Sequence, residues 1–217
     1  MTKIKQYKTR LNQNLALIGM ILGDGSMMQP NMLYIRHGGK QLDYVDEKVC
    51  FLKNYIKPTS LRSAADKQGY KYRYAYYYDN SKLPYFYKMI YKNGRKTITQ
   101  ELLNHFNGIS LSFFYMDDGC LAHRKYRNKN GEWTGGYRSR EIYLCTHSFI
   151  PNEVRMFIKM LKNKFDLSFR MTMDKGHPRI WCNTKNTKKM LEIVKPVVSQ
   201  FKTMSYKLDL KYQNGRE

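Results

Sequence analysis

The sequence predicts an α+β chain built from two pseudo-symmetric αββαββα repeats with antiparallel sheets, residues 1–108 and 109–217. Three observations predict it. An apolar run ending in Asp-Gly occurs twice, as LIGMILGDG at 17–25 and LSFFYMDDG at 111–119. The stretches after the two runs follow the same order of strand-like and helix-like periodicity. Hydrophobic residues make up 42% of 217 residues, enough for a packed core.

Leu17, Met20, Ile21 and Asp24 recur at i, i+3, i+4 and i+7, and Leu111, Phe114, Tyr115 and Asp118 repeat that spacing. Both runs therefore read as helices, each with a carboxylate at the end of an apolar stripe. Gly25 and Gly119 are expected to end them in left-handed backbone. Gly19 and Gly23 leave one strip of the first helix without side chains. An interior glycine costs about 1 kcal/mol relative to alanine, and close approach of another helix backbone is the reason to accept it. Phe113 and Asp117 stand at the matching positions of the second run, so the packing cannot be symmetric.

Strands follow at 31–38 and 139–148, with one further strand after each first helix not localised. Next come helices at 42–57 and 151–165. In the second, Val154, Phe157, Ile158 and Leu161 share a face and Pro151 marks the start. Strand pairs are expected at 59–66 with 71–79 and at 167–174 with 178–184, turning at Gly69 and Gly176. Helices at 82–92 and 187–200 close the repeats. Residues 122–138 read as a long loop.

Lys and Arg number 39 against 17 acids, a formal net charge of +22. Self-repulsion of that size is relieved by a polyanion, and nucleic acid is the leading candidate. No apolar segment approaches the roughly 20 residues that span a bilayer. The basic start, MTKIKQYKTRLNQN, has no apolar core of a secretory signal and reads as a basic arm. The expected location is intracellular, in a bacterial or phage-infected cytoplasm or in a mitochondrion. Cys50, Cys120, Cys145 and Cys182 form no CxxC pair and are expected to be reduced, mostly buried thiols.

The strands alternate. Lys71, Arg73, Ala75 and Tyr77 oppose Tyr72, Tyr74, Tyr76 and Tyr78, and Phe169, Met171 and Met173 oppose Ser168, Arg170, Thr172 and Asp174. One face of each sheet is expected to pack on helices, leaving a polar, basic face suited to a DNA major groove. The candidate DNA contacts on and beside the strands are Arg36, Lys40, Arg62, Lys71, Arg73, Arg138, Arg140, Arg170, Lys175 and Arg179.

A carboxylate in the last helical turn faces the negative end of the helix dipole. Two such endings, packed side by side, call for a divalent cation, and paired carboxylates suit metal-assisted phosphodiester hydrolysis. The two runs resemble the LAGLIDADG motif. From Leu15 to about Leu210 the chain resembles a single-chain, two-motif LAGLIDADG homing endonuclease.

That resemblance implies motif helices at the interface of the repeats and sheets forming a concave DNA-binding saddle. It implies that Asp24 and Asp118 bind the catalytic metal, with backbone carbonyls of Gly23 and Asp117 assisting. It places a lysine beside each acid, for which Lys96 and Lys207 are the candidates. The implied cofactor is Mg²⁺, with Mn²⁺ or Ca²⁺ substituting for binding. The implied activity is a double-strand break in a long asymmetric target by an intron-encoded monomer. An intron RNA maturase on the same fold is the alternative, which would add the chain's own intron RNA as a partner; a DNA-binding regulator on this scaffold is a third. His37 and His147 fall after corresponding strands, where either DNA contact or a structural role is open. No H-N-H spacing occurs, and the ends lack the His-Asn of an intein.

Overall fold

The first apolar run folds as α1 (Arg10–Leu22), with Thr9 accepting a hydrogen bond from the Asn12 N–H at the N-cap. A computed structural model describes residues 9–209; the side chains of 123–127 and 133–139 lie outside the described residues, as do the first part of the basic arm and the tail after Asp209. After α1 come β1 (Ser26–Gln29), β2 (Met32–Gly38), a 3₁₀ turn (Gly39–Gln41) and α2 (Leu42–Leu52). β3 (Ser60–Ala65), β4 (Lys71–Tyr78) and α3 (Leu83–Ile90) complete the repeat. The connection to the second repeat is a small hairpin, β5 (Tyr91–Lys92) and β6 (Arg95–Lys96), followed by α4 (Gln100–His105).

The second run is α5 (Gly108–Asp118), capped by the Asn107 side chain. Then follow β7 (Gly119–Arg127), β8 (Trp133–Cys145), α6 (Pro151–Phe165), β9 (Arg170–Asp174), β10 (His177–Cys182) and α7 (Thr184–Val198). A 3₁₀ segment (Lys202–Leu208) ends the described chain. The sheets have equivalent orders, β1-β2-β4-β3 and β7-β8-β10-β9, and every pairing is antiparallel. The repeated αββαββα order expected from the sequence is therefore present, with β1 and β7 as the strands the sequence did not localise.

Two expectations are corrected. Residues 122–138 are not a long loop: β7 and β8 run through them as one extended hairpin. Gly25 and Gly119 are not left-handed, since neither has positive φ. Close approach explains them instead. A Cβ on Gly119 would meet the Tyr115 ring at 2.1 Å, and one on Gly25 the Met20 carbonyl at 2.7 Å. The four cysteines are free as expected, but only Cys182 is buried, whereas Cys50 and Cys120 are exposed.

α1 and α5 pack backbone to backbone. A Cβ on Gly19 would lie 2.2 Å from the Ser110 carbonyl oxygen and 2.8 Å from Phe113 Cβ. The Ser110 hydroxyl donates to the Leu15 carbonyl at 2.8 Å, tying the two helices together. The expected asymmetry is thus literal: glycines on α1 receive Phe113 and Asp117 of α5. Each repeat's trailing segment reaches across to the other. Arg95 pairs with Glu153 at 2.7 Å, and the Gln41 amide donates to the Tyr206 hydroxyl at 3.0 Å.

Candidate active site

The packed pair ends where its carboxylates gather. α1 stops at Leu22 and Asp24 follows it, while Asp118 is the last residue of α5, so the two acids occupy slightly different points of their helix ends. Burial raises the Asp118 carboxyl to about 7, with the negative charges of Asp24 and Asp117 adding to the effect. Asp24, 40% exposed in its side chain, is raised for the same two reasons, burial and the Asp117 charge, against the opposing pull of Lys48, Lys207 and Lys96. Carboxyl groups pushed up by one another are the electrostatic signature of a place that a cation would relieve.

The two predicted lysines both arrive here. Lys96, on β6, donates to the Gly23 carbonyl at 2.6 Å. Lys207 is buried and donates to the carbonyls of Tyr115, Met116 and Gly119, the last at 2.8 Å. Each lysine therefore satisfies carbonyls at the end of one motif helix, where a positive charge also opposes the dipole. Burial lowers both lysine pKa values, while the neighbouring aspartates hold them up. Gly23 O is thus already engaged by Lys96, and the two acids remain the better ligands.

Asp117 has a role the sequence did not show. Its carboxylate is fully buried and accepts from Lys48 Nζ at 2.7 Å, from the Tyr44 hydroxyl at 3.0 Å and from the Asp24 N–H at 3.3 Å. The residue as a whole is half-buried while its side chain is 0% exposed, so its exposure lies in the backbone. His37 sits at the end of β2, 4% exposed, with Nε2 2.8 Å from Lys48 Nζ and Nδ1 3.6 Å from Asp24 Oδ2. Burial and the Lys48 charge depress its pKa to about 3. Asp24, His37 and Asp117 present atoms close enough to hold an ion together. The oxygens of Asp117 are already taken by three donors, however, which sets it apart from Asp24 and Asp118.

Sequence reasoning missed Lys48 and Tyr44. A signal was present: α2 buries Tyr44, Val45, Lys48, Phe51 and Leu52, so the lysine lies within the apolar stripe. His147 lies away from this cluster, 3.6 Å from Asp174 on the second sheet.

The open sheet faces differ from the expectation at particular arginines. Ala75 and Tyr77 are buried under the helices, so Lys71 and Arg73 share the helix-facing parity. Arg73 is bonded to Asp46 of α2, Nε to Oδ2 at 2.6 Å. The open face of the first sheet carries Arg36, Arg62 and a ladder of Tyr34, Tyr72, Tyr74 and Tyr76, with the Arg36 guanidinium 3.8 Å above the Tyr72 ring. On the second sheet Arg170 and Arg179 are open, near Trp181 and Tyr143 respectively. Arg179 is also paired with Asp174 at 3.0 Å. Arg140 has the parity of buried Ile142 and Leu144 and is half-buried. Lys40 and Lys175 are exposed in turns, and the Arg138 side chain lies outside the described residues.

A model of the LAGLIDADG DNA endonuclease family matches residues 15–190. The chain belongs to that family. A probable intron-encoded endonuclease 1 of Wickerhamomyces canadensis is 28% identical over 94% of this chain and 89% of the relative. A probable intron-encoded DNA endonuclease 3 of Mycosarcoma maydis is 29% identical over 54% of this chain and 75% of its own length. Among solved structures, the homing endonuclease I-WcaI bound to its DNA recognition sequence superimposes with a TM-score of 0.74 at 24% identity, covering 96% of this chain and 93% of that one. The meganuclease I-SmaMI bound to uncleavable DNA gives 0.54 at 12% identity over 89% and 85%. These structural likenesses place the LAGLIDADG fold. Among the described residues, no helix is long and apolar enough to cross a membrane.

Proposed function

We propose that the chain is a site-specific homing endonuclease that breaks both strands of a long, asymmetric DNA target by divalent-metal-dependent phosphodiester hydrolysis. The observation that carries this reading is the meeting of two motif carboxylates, Asp24 and Asp118, at the adjoining ends of packed helices, each end held by its own lysine. A divalent cation bound there supplies Lewis-acid activation of water and neutralises charge on the phosphate. Mg²⁺ is the ion we assign, with Mn²⁺ or Ca²⁺ able to substitute for binding.

Asp24 and Asp118 hold the cation, with the Asp117 carbonyl assisting. Lys96 and Lys207 stabilise negative charge on the phosphate while fixing the helix ends, an electrostatic contribution that needs no motion during the reaction. The open faces with Arg36, Arg62, Arg170 and Arg179 take the two half-sites, residues 1–108 serving one and 109–217 the other. The net charge of +22 supports tight, salt-sensitive binding. Divergence of the halves implies a non-palindromic target, and the relatives' names support an intron origin.

The test is cleavage of a randomised duplex library in Mg²⁺ by wild type, Asp24→Asn and Asp118→Asn. Wild type is expected to recover one long target, and each variant to lose at least a hundredfold in rate. Equal cutting by all three proteins overturns the assignment of the acids. No cutting by wild type, together with tight binding of intron RNA, replaces this reading with the maturase.

A further inference from the structure

A buried polar chain runs from the second repeat into the first: Asp117, Lys48, His37, Asp24. Lys48 is 0% exposed and its ammonium contacts both Asp117 Oδ1 and His37 Nε2. An ammonium carries only donors, so His37 Nε2 must accept, which puts the imidazole proton on Nδ1. Nδ1 is the atom that faces Asp24 Oδ2, at 3.6 Å. His37 is therefore presented to Asp24 as a donor and not as a metal ligand. The 3.6 Å separation is longer than a hydrogen bond, and catalytic contacts are often long before substrate binds. The Gln41 side chain also adjoins the ring, and Tyr44 packs against it at 4.7 Å while donating to Asp117.

Among the described residues, the second repeat has no copy of this chain. Tyr143 pairs with Cys120 as Tyr34 pairs with Ser26, and α6 follows β8 as α2 follows β2. Counting forward from those two tyrosines places Thr146 at the position of His37 and Phe157 at that of Lys48. Thr146 is buried and bonded to the Pro178 carbonyl at 2.8 Å, and Phe157 packs edge-on against Phe106 and Phe114. The counterpart of Asp117 is Gly23, and Asp117 occupies the space that a Gly23 side chain would need.

We propose that Lys48 and His37 are positioning residues for the Asp24 carboxylate alone, so that the two strands of the target are cut by unequally supported acids. Asp24 is oriented by Nδ1–H, whose tautomer is set by Lys48, whose charge is in turn balanced by Asp117. Asp118 works without such support. Disrupting the chain slows the strand served by Asp24 and leaves the other, turning the protein into a nicking enzyme. This inference rests on the endonuclease reading above.

The experiment uses the full chain and the duplex recovered from library cleavage, each strand carrying its own dye, with products resolved under denaturing conditions in Mg²⁺. Lys48→Met alone leaves Asp117 buried without its cation, so Lys48→Gln, whose amide can still donate to Asp117, is tested beside His37→Leu. Both proteins are expected to slow one and the same strand at least tenfold, with the other within about threefold of wild type. His37→Asn, whose amide keeps a donor near the place of Nδ1, is expected to restore that strand to within about threefold. Equal slowing of both strands, no slowing of either, or slowing of different strands by the two proteins overturns the positioning role. Failure of wild type to cut any duplex overturns the endonuclease reading instead.

Discussion

Replacing Gly19 by alanine should destabilise the protein, although the same change in an ordinary helix interior stabilises it. Helix propensity alone favours alanine by about 1 kcal/mol. Against that, the new Cβ would sit 2.2 Å from the Ser110 carbonyl oxygen and 2.8 Å from Phe113 Cβ. Neither atom is the free end of a flexible side chain, so relief requires α1 and α5 to move apart by about 1 Å, comparable to severe overpacking at about 3 kcal/mol. Separation also stretches the Ser110–Leu15 hydrogen bond, for about 1 kcal/mol more. The net expectation is a loss of about 3 kcal/mol, or about 6–12 °C in Tm for a domain of this size. Gly108→Ala is the control: its Cβ would meet only Ile193 Cγ2 at 3.5 Å, an ordinary contact. Urea unfolding followed by circular dichroism, with both variants beside wild type, gives the comparison. A Gly19→Ala protein as stable as wild type would refute the backbone-to-backbone packing on which the site depends.

The raised Asp118 carboxyl makes a pH prediction that needs no DNA. Because the folded chain holds that proton up to about 7 while the unfolded chain releases it near 3.8, the Asp118 contribution to stability without divalent ions falls as pH rises through that window. Asp118→Asn should therefore match wild type near pH 4 and exceed it at pH 8, by at most about 4 kcal/mol; thermal melts in chelator at both pH values read the difference, which isolates Asp118 from the opposite trend of His37. Lys207 donates to three carbonyls at the C-terminal end of α5, its cap included, and Lys96 to the cap carbonyl of α1, so Lys207→Met should cost about 3 kcal/mol and Lys96→Met about 1; the reverse order in denaturant titrations would refute the capping argument. Arg36→Ala and Arg62→Ala should each lower the slope of log binding constant against log salt by about 1. Arg73→Ala, whose guanidinium is held by Asp46 on the helix side, should leave that slope unchanged and destabilise the fold slightly.

Much of the site was legible in the residues. The acid at the end of each apolar stripe and the glycines at and beside the end of α1 can be located by spacing and repetition, because a helix imposes a period on its buried face; the two lysines came only from the family resemblance. α6 is legible to the residue, having both an amphipathic face and a proline start. The 122–138 hairpin was not, since its sequence has no alternating apolar residues to mark strands. Arg73 was misplaced for a related reason. Its neighbours on both sides of the strand are half-buried or polar, and only the burial of Ala75 and Tyr77 decides which face meets the helices.

The sequence by itself determined the repeat, the order of its elements, the carboxylate that ends each motif and the excess of positive charge. These properties are written in local periodicity and in composition, which survive without knowing what touches what. Only the tertiary structure decided that Asp117 is held by Lys48, that His37 turns its Nδ1 to Asp24, and that the second repeat lacks both. Those contacts join residues far apart in the chain, Lys48 and Asp117 being 69 positions distant. A buried ion pair has no period, and its partners are chosen by the close packing that Gly19 and Gly23 permit between α1 and α5.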